Sequence, residues 1–119
     1  MCKTKQPNRK TRLPNRKTKF ELFHSSTNFF VTVRYDWGTT GDEIRQAFLR
    51  GEYQLVDTFK LPGENIPSAL EEVFFRSQNL DRSWRRGSPT RSTSVGDVVR
   101  VGKDYWIVAG TGFDLGWQD

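Results

Sequence analysis

Between Lys3 and Lys19 the chain carries one sizeable apolar side chain, Leu13, and this most limits where a fold can begin. The same stretch holds Lys3, Lys5, Arg9, Lys10, Arg12, Arg16, Lys17 and Lys19 and no acid. Much of it is a repeat, Pro-Asn-Arg-Lys-Thr at 7–11 and again at 14–18. Eight like charges with nothing to bury cannot offset the entropy lost on ordering. Residues 1–19 are therefore expected to be a disordered basic tail, and residues 20–119 a single domain. The tail also explains the net charge of +5: eight of the 19 Lys and Arg lie in it, which leaves eleven against all 14 acids, a net of −3 for the rest.

A chain of 119 residues fits one domain. Nine Phe, four Trp and three Tyr supply the area for a core although only 34% of residues are apolar. A single cysteine, Cys2, excludes an intramolecular disulfide and suits a reducing compartment. No apolar run approaches the ~18 residues of a membrane span. The basic N-terminus is not followed by the apolar stretch of a secretory signal. An intracellular location, in the cytoplasm of a host cell, is the expectation.

Phe20, Leu22 and His24 alternate with Glu21, Phe23 and Ser25, a short strand pattern. Phe29, Val31, Val33 and Tyr35 repeat the period of two and predict a second strand over 29–35. Thr40 and Glu43 have the spacing of a capping box ahead of Ile44, Ala47 and Phe48 at helical spacing, with Gly51 as a stop. This predicts a helix over 41–50. Tyr53, Leu55, Phe59 and Leu61 then fall on one strand face, interrupted by Asp57 at a bulge or sheet edge. Pro67 suits the first turn of a second helix whose buried stripe is Leu70, Val73 and Phe74. Residues 77–94 have no periodicity and read as a long loop.

A closing hairpin is expected from Asp97–Val101 and Tyr105–Gly110. A three-residue turn gathers Val99, Val101, Tyr105 and Ile107 on one face, the cleaner core, whereas a two-residue turn puts Asp104 beside Val99, Val101 and Trp106. The odd-length turn is favoured. Phe113, Leu115 and Trp117 suit a short last strand. The fold class is α+β: a small, mostly antiparallel sheet with two short helices on one face and a C-terminal β-hairpin.

Several segments of this half have a familiar wording: Leu70-Glu71-Glu72-Val73-Phe74, then Ser77-Gln78-Asn79-Leu80-Asp81 with Trp84. Arg91-Ser92-Thr93-Ser94-Val95-Gly96-Asp97-Val98-Val99 follows, and then Tyr105 to Phe113. From about Tyr53 to Phe113 the chain resembles the small YodL-like proteins of phages, archaeal viruses and integrated mobile elements. In those proteins an Arg-Ser-x-Ser-Val-x-Asp-Val-Val segment opens a C-terminal hairpin. The resemblance implies an origin in a virus or mobile element and supplies no catalytic residue.

No catalytic set stands out. His24 is the only histidine and shares a strand face with Phe20 and Leu22, which suits a partly buried structural residue better than a general base. Cys2 and His24 are too few for a zinc site. Gly110-Thr111-Gly112 opens no helix and reads as a turn, not a phosphate loop. Neither a cofactor nor a metal is expected. Ser92, Ser94 and Asp97 are short polar side chains suited to pinning the lead-in to the hairpin.

Two basic clusters remain. Arg82, Trp84, Arg85, Arg86 and Arg91, in the long loop, combine arginine with an aromatic, as partner-binding surfaces do. Arg9, Lys10, Arg12, Arg16 and Lys17 in the tail form a candidate phosphate-binding arm. The leading reading is a non-enzymatic binding module of a phage or mobile element that engages a host or viral protein through surface loops. The alternative is a nucleic-acid-binding accessory protein that uses the tail and the Arg-rich loop.

Overall fold

A computed structural model describes residues 17–25, 40–80, 83–85 and 90–119. The strand expected over 29–35, and the tail as far as Arg16, lie outside the described residues. The domain is α+β. Strands β1 (Lys17–Ser25), β2 (Tyr53–Pro62), β3 (Val98–Val101), β4 (Asp104–Val108) and β5 (Phe113–Gln118) form one sheet. Its order is β2-β1-β3-β4-β5, with every neighbouring pair antiparallel. Helices α1 (Gly41–Leu49) and α2 (Ile66–Arg76) flank β2 in sequence. Strand β1 starts at Lys17, three residues before the alternation at Phe20, because Lys17, Thr18 and Lys19 pair with Pro62, Leu61 and Lys60 of β2.

Both helices begin where their sequences say. The Glu43 N–H donates to Thr40 Oγ1 (3.2 Å) and the Thr40 N–H to Glu43 Oε1 (2.8 Å), a complete capping box. Just past α1, Gly51 has φ +84°, the left-handed conformation that favours glycine. Asn65 caps α2 by accepting from the Ser68 N–H (3.2 Å), and Pro67 lies in the first turn, where no intrahelical donor is lost.

The helices cover opposite faces of the sheet, not one face as expected. Phe20, Leu22, Leu61, Val99 and Val101 pack with Ala69, Leu70 and Val73 of α2. Tyr53, Val98, Tyr105 and Ile107 pack with Ile44 and Ala47 of α1. Successive strand residues point to opposite sides, so Val98 and Val99 serve different cores.

This two-sided burial also decides the hairpin. Val101 pairs with Asp104 and Val99 with Trp106, so the turn is the two residues Gly102-Lys103, with Gly102 at φ +61°. The three-residue turn favoured from the sequence assumed one buried face. With both faces buried, Val98 and Ile107 pair toward α1 while Val99 and Trp106 pair toward α2.

Two bulges set the remaining faces. Leu22 pairs with Asp57 but Phe23 with Leu55, so Val56 is an extra residue in β2. The bulge lies next to Asp57, and it separates Tyr53, which packs toward α1, from Phe59 and Leu61, which pack toward α2. The single face expected for Tyr53, Leu55, Phe59 and Leu61 is thereby split. In β5, Gly116 is the extra residue between the Trp106–Leu115 and Tyr105–Trp117 pairs. A Cβ there would lie 2.7 Å from Ile107 Cδ1, so only glycine fits without a shift.

Candidate functional site

Asp97, just before β3, is completely buried and organises the lead-in to the hairpin. Arg91 meets it fork to fork, with Nη1 donating to Oδ2 (2.7 Å) and Nη2 to Oδ1 (2.8 Å). The Ser94 N–H donates to Oδ2 (2.8 Å) and the Ser25 N–H to Oδ1 (3.1 Å). Each carboxylate oxygen thus has two donors, the condition under which burying a charge is tolerated. Arg91 also donates to the Ser92 and Ser25 carbonyls (3.0 and 3.3 Å), and its bonds to Asp97 raise its already high pKa. The result is a latch that ties the end of β1 to the 91–97 segment.

His24 sits under this latch, 5% exposed. Its Nε2 is 2.9 Å from Thr93 Oγ1 and 3.8 Å from Asp97 Oδ2. Burial, helped by the nearby Arg91 charge and opposed by Asp97, pushes its pKa down to about 4. A nucleophile–base–acid triad needs the acid and the nucleophile on different ring nitrogens. Here Thr93 and Asp97 approach the same one, and Thr93 is itself buried, so the group is arranged for packing. Beside it the Tyr53 hydroxyl donates to the Gly96 carbonyl (2.6 Å); burial, then the Asp97 charge, push its ionisation upward.

The described residues of the segment read as a long loop are tied to the sheet and to α2. The Thr93 N–H donates to the Ser77 carbonyl (3.0 Å), the Asn79 N–H to Ser92 Oγ (2.7 Å), and Gln78 Nε2 to the Thr93 carbonyl (3.0 Å). Trp84 lies against the α2-side core and stacks on Phe59, with ring centroids 6.3 Å apart. Its Nε1 donates to the Arg91 carbonyl (2.9 Å) and its backbone N–H to Asn79 Oδ1 (2.9 Å).

Of the partner-binding residues expected from the sequence, the structure joins Trp84 and Arg91, and it joins them through internal bonds. Arg85 follows Trp84 and is partly buried, while Arg82 and Arg86 lie outside the described residues. Among the tail cations, Lys17 is exposed at the start of β1; Arg9, Lys10, Arg12 and Arg16 lie outside the described residues. Ser92, Ser94 and Asp97 do pin the hairpin lead-in. Gly110-Thr111-Gly112 is a turn, closed by the Ala109 N–H donating to the Gly112 carbonyl (3.0 Å). Among the described residues no three His, Cys, Asp or Glu side chains come together as metal ligands, and no helix is long and apolar enough to cross a membrane.

A different surface was missed. Phe74, expected in the core, is 36% exposed; Phe75 is 65% and Leu80 73% exposed. The stripe of α2 that reaches the core is Ala69, Leu70 and Val73, and a helix turns about 100° per residue. Phe74, about 100° on from Val73, therefore falls at the edge of that stripe and Phe75, about 200° on, on its outer side; the doublet itself was the sequence signal. Beside it, a cleft of about 270 Å³ separates α2 from the turn between β4 and β5. Glu71 and Phe74 form one wall; Val108, Phe113 and the intervening turn form the other.

No protein-family model matches this chain, and no curated protein or solved structure is detectably similar to it.

Proposed function

We propose that this protein is a non-enzymatic binding module that holds a partner protein on the surface formed by the C-terminal end of α2 and the segment after it. One observation carries the reading: Phe75, on a helix that has a complete buried stripe of its own, and Leu80, four residues past the end of that helix, are large apolar side chains left 65% and 73% exposed. Clustered exposed apolar residues mark interaction sites more often than isolated ones do. His24 and Asp97, the buried pair capable of acid–base chemistry, are committed to the latch, which supports a binding role over a catalytic one. Bonds from Gln78, Asn79 and Trp84 to residues 91–93 tie the described residues after α2 to the latch, so a partner would meet a preorganised surface. The likeness of residues 91–99 to the YodL-like segment favours a phage or mobile-element protein that acts on a host or viral protein in the host cytoplasm, as a counter-defence or regulatory factor would.

A second reading, nucleic-acid binding, is favoured by one feature: Lys17 and Lys19 carry the basic segment directly into β1. The same experiment tests both. Immobilised full-length protein is exposed to host lysate, beside a Phe75→Lys/Leu80→Lys variant, at low and moderate salt. Specific proteins retained by the wild type and lost by the variant support the protein-binding reading. Retention of the same proteins by both chains overturns this surface. Nucleic acid captured equally by both, and released steeply by salt, supports the second reading.

A further inference from the structure

The cleft between α2 and the β4–β5 turn has a definite chemistry, and the inference drawn from it rests on the protein-binding reading. The geometry points to a pocket for one apolar side chain of a partner with a positive charge a few atoms away. The walls are apolar: Phe74 from α2, Val108 and Phe113 from the two strands, and Ala109 in the turn. A cavity of about 150 Å³ is enough to hold a benzene ring. At about 270 Å³ this cleft admits a ring with a short arm and stays below the size typical of drug-like ligands.

Charge then selects among apolar groups. Glu71 lines the cleft, is exposed, and forms no ion pair among the described residues. One helical position along, Glu72 is different: Arg76 already neutralises it, with Nε at 2.6 Å from Oε2. Glu71 has no cation among its helical neighbours three and four residues away, Pro67, Ser68, Phe74 and Phe75, so an incoming cation meets an uncompensated carboxylate at the rim. An anion at the same place is repelled. The occupant that fits is a partner segment with a phenyl or similar apolar group next to a lysine, an arginine or an amino terminus.

Full-length, isotope-labelled protein titrated with phenethylammonium and separately with phenylacetate tests this, because the two probes share a ring and differ in the sign of the charge. Phenethylammonium is expected to shift the amide signals of Phe74 and of residues 109–113. It should bind about tenfold more tightly than phenylacetate, the size expected from one attractive and one repulsive surface charge. Glu71→Gln, an exposed change that leaves the fold intact, should reduce that preference to about twofold or less. The pocket is overturned if phenethylammonium leaves these signals unmoved. The charge selection is overturned if phenylacetate binds as well, or if Glu71→Gln keeps the preference. A Phe75→Ser/Leu80→Ser chain, which brings no cation within reach of Glu71, should still bind the probe when it has lost its partner, so failure of the pocket and failure of the partner surface are read separately.

Discussion

Asp97 and Phe75 each run against the ordinary distribution of residue types, in opposite directions. The carboxylate of Asp97 is fully buried, and the ring of Phe75 is 65% exposed. Buried charge survives only where every lone pair is answered, and around Asp97 four donors answer them. That region is complete in itself. Around Phe75, Leu80 and the cleft beside Phe74, apolar surface faces outward with no covering element among the described residues. Arg91, which looked functional in the sequence, holds the fold, and Phe74, which looked structural, borders the candidate surface.

The sharpest break in this contrast would come from Asp97→Ala. It leaves Arg91 without its carboxylate and the Ser25 and Ser94 N–H groups without an acceptor. Arg91 keeps some access to water, with its side chain 42% exposed, so the loss should be about 3 kcal/mol, toward the lower end for a broken buried pair. Urea denaturation at neutral pH reads it, and a loss below about 1 kcal/mol would deny the latch its role.

Next in size is acid sensitivity. In the unfolded chain His24 takes up a proton near its ordinary value of 6.5; folded, it does so only near 4. The unfolded state binds more protons between those values, so stability falls as the pH drops from 6.5 to 4 and levels off below. The charged groups that face His24 are Asp97 and Arg91. The full fall is on the order of 3 kcal/mol. His24→Gln should flatten that slope in a series of denaturation curves, and an unchanged slope would place the acid sensitivity elsewhere.

The smallest expected effect is on the opposite side of the comparison. Replacing Phe75 and Leu80 together by serine should move stability by no more than about 0.5 kcal/mol, because neither side chain is in either core. A loss above about 1.5 kcal/mol would show these residues to be structural and remove the basis of the proposed surface.

How much of this was legible depends on the range of each interaction. The cap of α1 was read directly, since Thr40 and Glu43 act across three residues; at α2 only Pro67 was read, although the Asn65 cap spans the same short distance to Ser68. The Ser92–Asp97 segment was read as a pin, but its partners were not, because Arg91 joins Asp97 to Ser25, and His24 meets Thr93 at a separation of 69 residues. The basic loop looked like a binding site on composition alone. Composition cannot show that Trp84 stacks on Phe59 or that the guanidinium of Arg91 is already engaged.

Alternation, capping and turn residues by themselves determined that this chain makes short strands around two helices. Composition likewise placed eight of its 19 Lys and Arg, with no acid, in the first nineteen residues, because each of these properties is local or additive. Only the tertiary structure decided which face each strand residue serves. One extra residue at Val56 and another at Gly116 reverse the alternation, and two helices on opposite faces make both sides of β3 acceptable as core. A period of two specifies a register only when one side is wet; here both are buried, and packing chose.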